Sequence, residues 1–147
     1  MSNPNASIGK IMANVNSKYF KAAGGNRFPR GQCTNWCAGE VSRKYKINLC
    51  KLLPSPANGG DWFKKVICDG KHVSKRPATE PPITDSIASF AHNTWGHVVY
   101  IECVKDGFVY FTEYNWKQAM NGRLQKISVD GFKTLHGCTL NGYIVIR

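Results

Sequence analysis

The chain is short of acidic residues: 9 Asp and Glu stand against 20 Lys and Arg, a formal charge of +11 with pI near 9.6. That balance favours polyanionic partners, whether nucleic acid, anionic lipid or an anionic cell-wall polymer. Long apolar runs are also lacking. None approaches the roughly 20 residues that span a bilayer, so no transmembrane segment is expected. The opening Met1-Ser2-Asn3-Pro4-Asn5 has no basic stretch, apolar stretch or small-residue cleavage site. No Sec signal is visible, and the chain is expected to be made in the cytoplasm. Repeats, low-complexity tracts and linkers are missing too. With 147 residues, 42% hydrophobic and 20% charged, the chain reads as one globular domain over residues 1–147.

Cysteine is plentiful, at six residues. An even number invites a disulfide framework only where there is evidence of secretion. In a reducing compartment the thiols stay free, and at least one becomes a candidate reagent.

Residues 6–22 place Ile8, Ile11, Met12, Val15, Tyr19 and Phe20 on one face of an amphipathic helix, ended by Gly24-Gly25-Asn26. Pro29-Arg30-Gly31 is a turn, and a second helix opens near Cys33-Thr34 with Trp36, Cys37, Val41 and Tyr45 as its apolar positions. Asp61 is a candidate cap for a third helix over 62–68. Residues 69–84 carry Pro77, Pro81 and Pro82 and are expected to be irregular. Beyond residue 85 the period is two. Strands are expected at 86–91, 97–104, 108–114, 124–129 and 143–146, with a tight hairpin at Lys105-Asp106-Gly107 and further turns at Asn121-Gly122, Asp130-Gly131 and Asn141-Gly142. The class is α+β, with N-terminal helices packed on a C-terminal antiparallel sheet.

One cysteine, Cys33, falls at a helix start, where free N–H groups and the helix dipole favour a thiolate and offer donors to an oxyanion. His97 opens a strand in Trp95-Gly96-His97-Val98-Val99-Tyr100, so it can face a cleft while its strand stays buried. Its pKa range suits both deprotonating a thiol and protonating an amine. The hairpin at 105–107 folds Glu113 and Asn115 back level with His97. One can hold the imidazole while the other assists or binds substrate.

Three blocks then carry a resemblance. Phe28-Pro29-Arg30-Gly31-Gln32-Cys33-Thr34-Asn35-Trp36, Gly96-His97-Val98-Val99-Tyr100-Ile101-Glu102 and Glu113-Tyr114-Asn115-Trp116 resemble the signature blocks of CHAP domains, cysteine- and histidine-dependent amidohydrolases/peptidases that cleave peptidoglycan. Trp62 after Asn58-Gly59-Gly60, the segment Asp85-Ser86-Ile87-Ala88-Ser89-Phe90 and the closing Gly142-Tyr143-Ile144 resemble further family elements. The resemblance runs from about residue 28 to the end.

It implies a papain-like fold, Cys33 as nucleophile, His97 as base, and Glu113 and Asn115 as orienting or polar partners. Gln32, Trp36, Trp95 and Trp116 become candidate substrate contacts. No cofactor is implied. Peptidoglycan in the anionic wall is the expected partner, nucleic acid is not, and a monomer is expected. The chain departs from the family at Asp85, often glycine, and at Cys37, where many members have a second aromatic. The acidic calcium loop of some phage members has no counterpart, since residues 22–30 contain no Asp or Glu, and no metal is expected there.

The resemblance leaves the amide open, either muramoyl–alanine or within the stem or cross-bridge. It leaves the setting open too: a phage lysin, a virion-associated enzyme with a virion partner, or an exported antibacterial effector with an immunity protein. Two other classes compete. One is a non-catalytic wall- or polyanion-binding module. The other is a nucleic-acid binder stabilised by zinc on Cys33, Cys37 and His97, which lacks an evident fourth ligand. Blander roles stand beside these, with Cys33 or His97 as core residues and Glu113 as a surface strand residue. Cys50, Cys68, Cys103 and Cys138 are expected to be small core residues. His72, His92 and His136 have no supporting motif.

Overall fold

Helix α1, Cys33–Tyr45, starts where the turn before it releases Gln32 in an extended conformation (φ −96°, ψ 154°). It stops where Lys46 turns left-handed (φ 59°) and donates its N–H to the Ser42 carbonyl at 3.0 Å. Arg43 and Lys44 fill its last turn, and its first turn has no acidic residue. The C-terminal end of the dipole is therefore compensated, and the N-terminal end keeps its partial positive charge. The structure, a computed structural model, describes residues 28–29, 31–116 and 122–147. The expected helix over 6–22 and its glycine stop lie outside the described residues.

A six-stranded antiparallel sheet backs the helix in the order β1-β6-β2-β3-β4-β5. The strands are β1 Val73–Pro77, β2 Ser86–Ala91, β3 His97–Lys105, β4 Phe108–Tyr114, β5 Gly122–Ser128 and β6 Thr139–Ile146. Between β3 and β4, Asp106 and Gly107 both have positive φ (53° and 79°), the backbone that a two-residue hairpin needs. The sheet is covered on both faces. Ile87, Val98, Tyr100 and Ile144 pack with Trp36, Val41 and Trp62 on the α1 side. Val99, Ile101, Phe111 and Tyr143 pack with Phe132 and Leu135 on the other. Two-sided burial explains why β3 reads as an unbroken apolar run rather than a strict alternation.

Several sequence expectations change here. The third helix, α2, is only Trp62–Lys65, because Val66 turns extended and Ile67 donates instead to the Leu52 carbonyl at 2.8 Å. Asp61 works within the preceding 3-10 turn, where its carboxylate accepts the Asn58 N–H at 3.3 Å. Residues 69–84 are not wholly irregular, since they contain β1. The Asp69 carboxylate accepts the N–H groups of Val73, Lys71 and His72, contacts that hold its pKa down to about 2 and launch the strand. Pro77 is tolerated because it ends an edge strand.

Asn141-Gly142 is no turn but part of β6, where a Cβ on Gly142 would collide with the Phe63 ring at 2.3 Å. Asp130-Gly131 lies in a single helical turn, α3 (Val129–Phe132). Asp85 occupies a left-handed conformation (φ 58°) that its short side chain tolerates, so the turn suited to glycine survives without one. Cys103 and Cys138 are buried, but Cys50 is only partly buried and Cys68 is exposed. All six cysteines are free.

Candidate active site

Two glycine contacts hold the start of β3 against the loop before α2. Gly96 has φ 69°, and a Cβ there would lie 2.3 Å from the Gly60 backbone. A Cβ on Gly59 would lie 2.9 Å from the backbone of His97. Gly60 N–H also donates to the Trp95 carbonyl at 3.0 Å. Backbone meets backbone at this seam, which fixes where the His97 ring leaves the strand.

His97 is buried and reaches the first residue of α1. Its ring comes near enough to the Cys33 side chain for that thiol to act on its protonation, and its Nε2 lies 3.0 Å from Glu113 Oε1. With Nε2 taken by the carboxylate, Nδ1 is left for the thiol. Tyr100 pairs with Thr112 across β3 and β4, so Asn115 is the residue level with His97 and Glu113 approaches diagonally. Asn115 does not hold the ring. Its backbone turns left-handed (φ 59°) just past β4, and its Nδ2 donates to Gln32 Oε1. The orienting contact belongs to Glu113, which is 1% exposed and therefore no surface residue.

The carboxylate has further partners. Gln125 Nε2 donates to Oε2 at 2.9 Å, and His136 Nε2 lies 2.8 and 3.0 Å from the two oxygens. Hydrogen bonding and charge from His97 first, and then from His136, outweigh the cost of burial and hold Glu113 below the ordinary carboxylate range. Burial alone would push His97 down, but hydrogen bonding and charge from Cys33 and Glu113 raise it to about 9. Cys37, one turn along α1, is driven the opposite way. Burial first, then the neighbouring Cys33, pushes its thiol well up, so it stays protonated in the core. The zinc arrangement on Cys33, Cys37 and His97 fails on geometry, since these three do not come together as a metal-ligating group among the described residues. Among the described residues, the metal-ligating side chains that converge are His97, Glu113 and His136.

A cleft of about 400 Å³ opens beside Cys33, lined among others by Gln32, Thr34, Asn58, Trp95 and Asn115. Gln32 and Trp95 thus lie where substrate contacts were expected, and Trp95 is 66% exposed. Trp36 does not. It is 2% exposed in the core, and its Nε1–H donates to Thr112 Oγ1 at 2.8 Å. Three residues along a helix from Cys33, it points into the sheet rather than the cleft. Trp116 packs on imidazoles instead, with its ring centroid 4.1 Å from His136, 4.9 Å from His92 and 5.0 Å from His97. His136, which had no motif to mark it, is the functional neighbour that sequence reasoning missed.

Behind the site, Thr112 donates to Glu102 at 2.6 Å, and Glu102 pairs with Lys44 of α1. Burial and the neighbouring Glu40 push Glu102 up to about 8, against the pull of Lys44. This buried cluster ties α1, and with it Cys33, to β3 and β4.

No curated protein matches the chain at the sequence level. In structure it is similar to Ly7917 (TM-score 0.65, 14% identity, covering 95% of this chain and 62% of that one) and to Ly7917 with the hydrolyzing product of MDP (TM-score 0.64, 13% identity, 95% and 62%). It is also similar to an N-acetylmuramoyl-L-alanine amidase from Staphylococcus aureus (TM-score 0.61, 19% identity, 86% and 34%). The chain therefore spans less than two thirds of the length of these proteins. The fold they share is the papain-like α+β arrangement described above. Residues 23–115 match the model of the CHAP domain, and the chain belongs to the CHAP domain family.

Proposed function

We propose that this domain hydrolyses an amide bond of bacterial peptidoglycan by thiol chemistry. The observation that carries the reading is the linked series Cys33–His97–Glu113, with Cys33 at the uncompensated N-terminus of α1 and beside the cleft. His97 Nδ1 takes the Cys33 proton, and Glu113 steadies the imidazolium through Nε2–H. The thiolate adds to the scissile carbonyl carbon. Backbone N–H groups at the helix start, with the Gln32 side chain beside them, receive the oxyanion. On collapse the C–N bond breaks, and His97 gives its proton to the leaving amine. Water, deprotonated by His97, then hydrolyses the thioester and regenerates the thiol.

Muramoyl–alanine and stem or cross-bridge amides are all open to this chemistry. The excess positive charge draws the domain to anionic wall polymers, which makes the cell wall its place of action. Among the described residues, no helix is long and apolar enough to cross a membrane. Turbidity of purified cell walls tests the proposal. Wild type should clear walls and Cys33→Ala should not; equal clearing by both would refute it. Mass spectrometry of the released muropeptides identifies the bond.

A further inference from the structure

We propose that His97 Nε2, His136 Nε2 and a Glu113 carboxylate oxygen form a Zn²⁺ site whose occupation switches the hydrolase off. The proposal rests on the reading of Cys33 and His97 as the catalytic pair. The three ligand atoms lie within 4.8 Å of one another, and both imidazole nitrogens touch the same carboxylate at 2.8–3.0 Å. Tetrahedral zinc, with bonds of about 2.0–2.2 Å, spaces its ligands about 3.3–3.5 Å apart. Small swings of the two rings therefore admit the ion.

Two imidazoles and one carboxylate suit zinc, while hard cations want oxygen throughout. The outer shell is already built. Gln125 holds Glu113 Oε2 at 2.9 Å, and Trp116 stacks on the His136 ring at an interplanar angle of 10°. Such support orients metal ligands. The side chains of His97 and Glu113 are 3% and 1% exposed, and that of His136 is 15% exposed. The ion would enter past His136.

Each ring binds the ion through an unprotonated Nε2 and keeps one proton at Nδ1, so both rings are neutral. When His97 begins as an imidazolium, one proton is released to solvent. A ring held at Nε2 by a cation is a far weaker acid at Nδ1 than an imidazolium, because losing that proton leaves an imidazolate. His97 then cannot protonate the leaving amine, and C–N cleavage stalls. Cys33 sits on the other ring nitrogen and is not a ligand.

The test uses protein freed of metal with EDTA, titrated with ZnCl₂ by calorimetry, with wall clearing followed over the same concentrations. Wild type should bind one ion and lose hydrolysis in step with binding, and EDTA should restore it. Cys33→Ala should bind zinc as wild type does. His136→Asn, which suits the left-handed backbone at that position (φ 56°), should weaken binding by about tenfold or more. Co²⁺ substituted into wild type should give the visible spectrum of a tetrahedral nitrogen–oxygen site without thiolate charge transfer, a readout independent of any variant's folding. Failure of wild type to bind, loss of binding in Cys33→Ala, or undiminished clearing by zinc-loaded protein would each overturn the proposal. If metal-free wild type clears no walls, the hydrolase reading fails instead, and the calorimetric and Co²⁺ results still judge the site.

Discussion

Replacing Glu113 by Gln keeps the size of the side chain and an oxygen for His97 Nε2, but removes the charge. The rise of His97 from 6.5 to about 9 corresponds to roughly 3 kcal/mol in favour of the imidazolium. That is what remains after burial has pushed the other way. Cys33 and Glu113 supply the upward push through the same two means, hydrogen bonding and charge. Glu113 is the second source of that push after Cys33, and its loss should cost the imidazolium on the order of 1.4 kcal/mol, which is one pH unit. For a thiolate–imidazolium pair, kcat/KM falls on the alkaline side as the imidazolium loses its proton. In wild type that fall should centre near 9. In Glu113→Gln it should move about one pH unit lower, with kcat/KM at neutral pH down by about tenfold to a hundredfold. The assay is wall clearing from pH 5 to 10 with EDTA throughout. An alkaline limb that stays in place while activity drops would refute the electrostatic reasoning, because the carboxylate would then act only as a spacer.

Other consequences are as direct. Glu102 has a folded-state pKa raised from 4.5 to about 8, so the folded chain holds a proton that the unfolded chain releases. Stability should fall as pH rises through that window. Glu102→Gln should flatten the fall, and parallel denaturant-derived stability curves for the two proteins would reject the assignment. Gly96→Ala forces a Cβ against the Gly60 backbone and should destabilise by about 3 kcal/mol or more, measured by urea denaturation; a loss below about 1 kcal/mol would mean that the seam yields. Trp36→Phe leaves Thr112 without its indole donor and opens space in the core. It should lower stability by about 1–3 kcal/mol, with KM on walls unchanged. Trp95→Ala at the cleft rim should do the reverse, raising KM several-fold while the urea midpoint stays put; an unchanged KM would place Trp95 outside the substrate path.

What could be read from the chain alone was what neighbours in sequence determine. The helix start at Cys33, the hairpin at Asp106-Gly107 and the strand mouth at His97 are each fixed by a few adjacent residues, and each lies where local chemistry puts it. The choice between Glu113 and Asn115 was not local. It turned on the left-handed backbone at Asn115, which sends that side chain to Gln32 and leaves the imidazole to its neighbour. Trp36 misled because a tryptophan in a nucleophile block looks like a cleft wall, whereas its place on α1 points it at Thr112. His136 carried no signal at all. It comes from a one-turn 3-10 helix before β6, and only the path of the chain across the sheet brings it to Glu113.

The scarcity of acid takes on a different meaning once the interior is seen. Of the 9 acidic residues, Glu40, Glu102 and Glu113 are each 4% exposed or less. Glu102 anchors α1 to the sheet through Lys44, Glu40 pairs with Arg43 and Lys44 within the helix, and Glu113 steadies the imidazole. Among the described residues, their partners Arg43 and Lys44 both keep part of their surface. The exterior is accordingly even poorer in acid than the composition suggests. A surface of that kind attracts anionic polymers at long range and is screened over about 10 Å at 0.1 M salt. The interior carboxylates are beyond the reach of that screening. Added salt should therefore weaken attachment to walls while leaving the Glu113–His97 contact, and turnover of a small soluble muropeptide, essentially as they were. Parallel loss of both would mean that the same charges serve binding and chemistry, contrary to the separation seen in the fold.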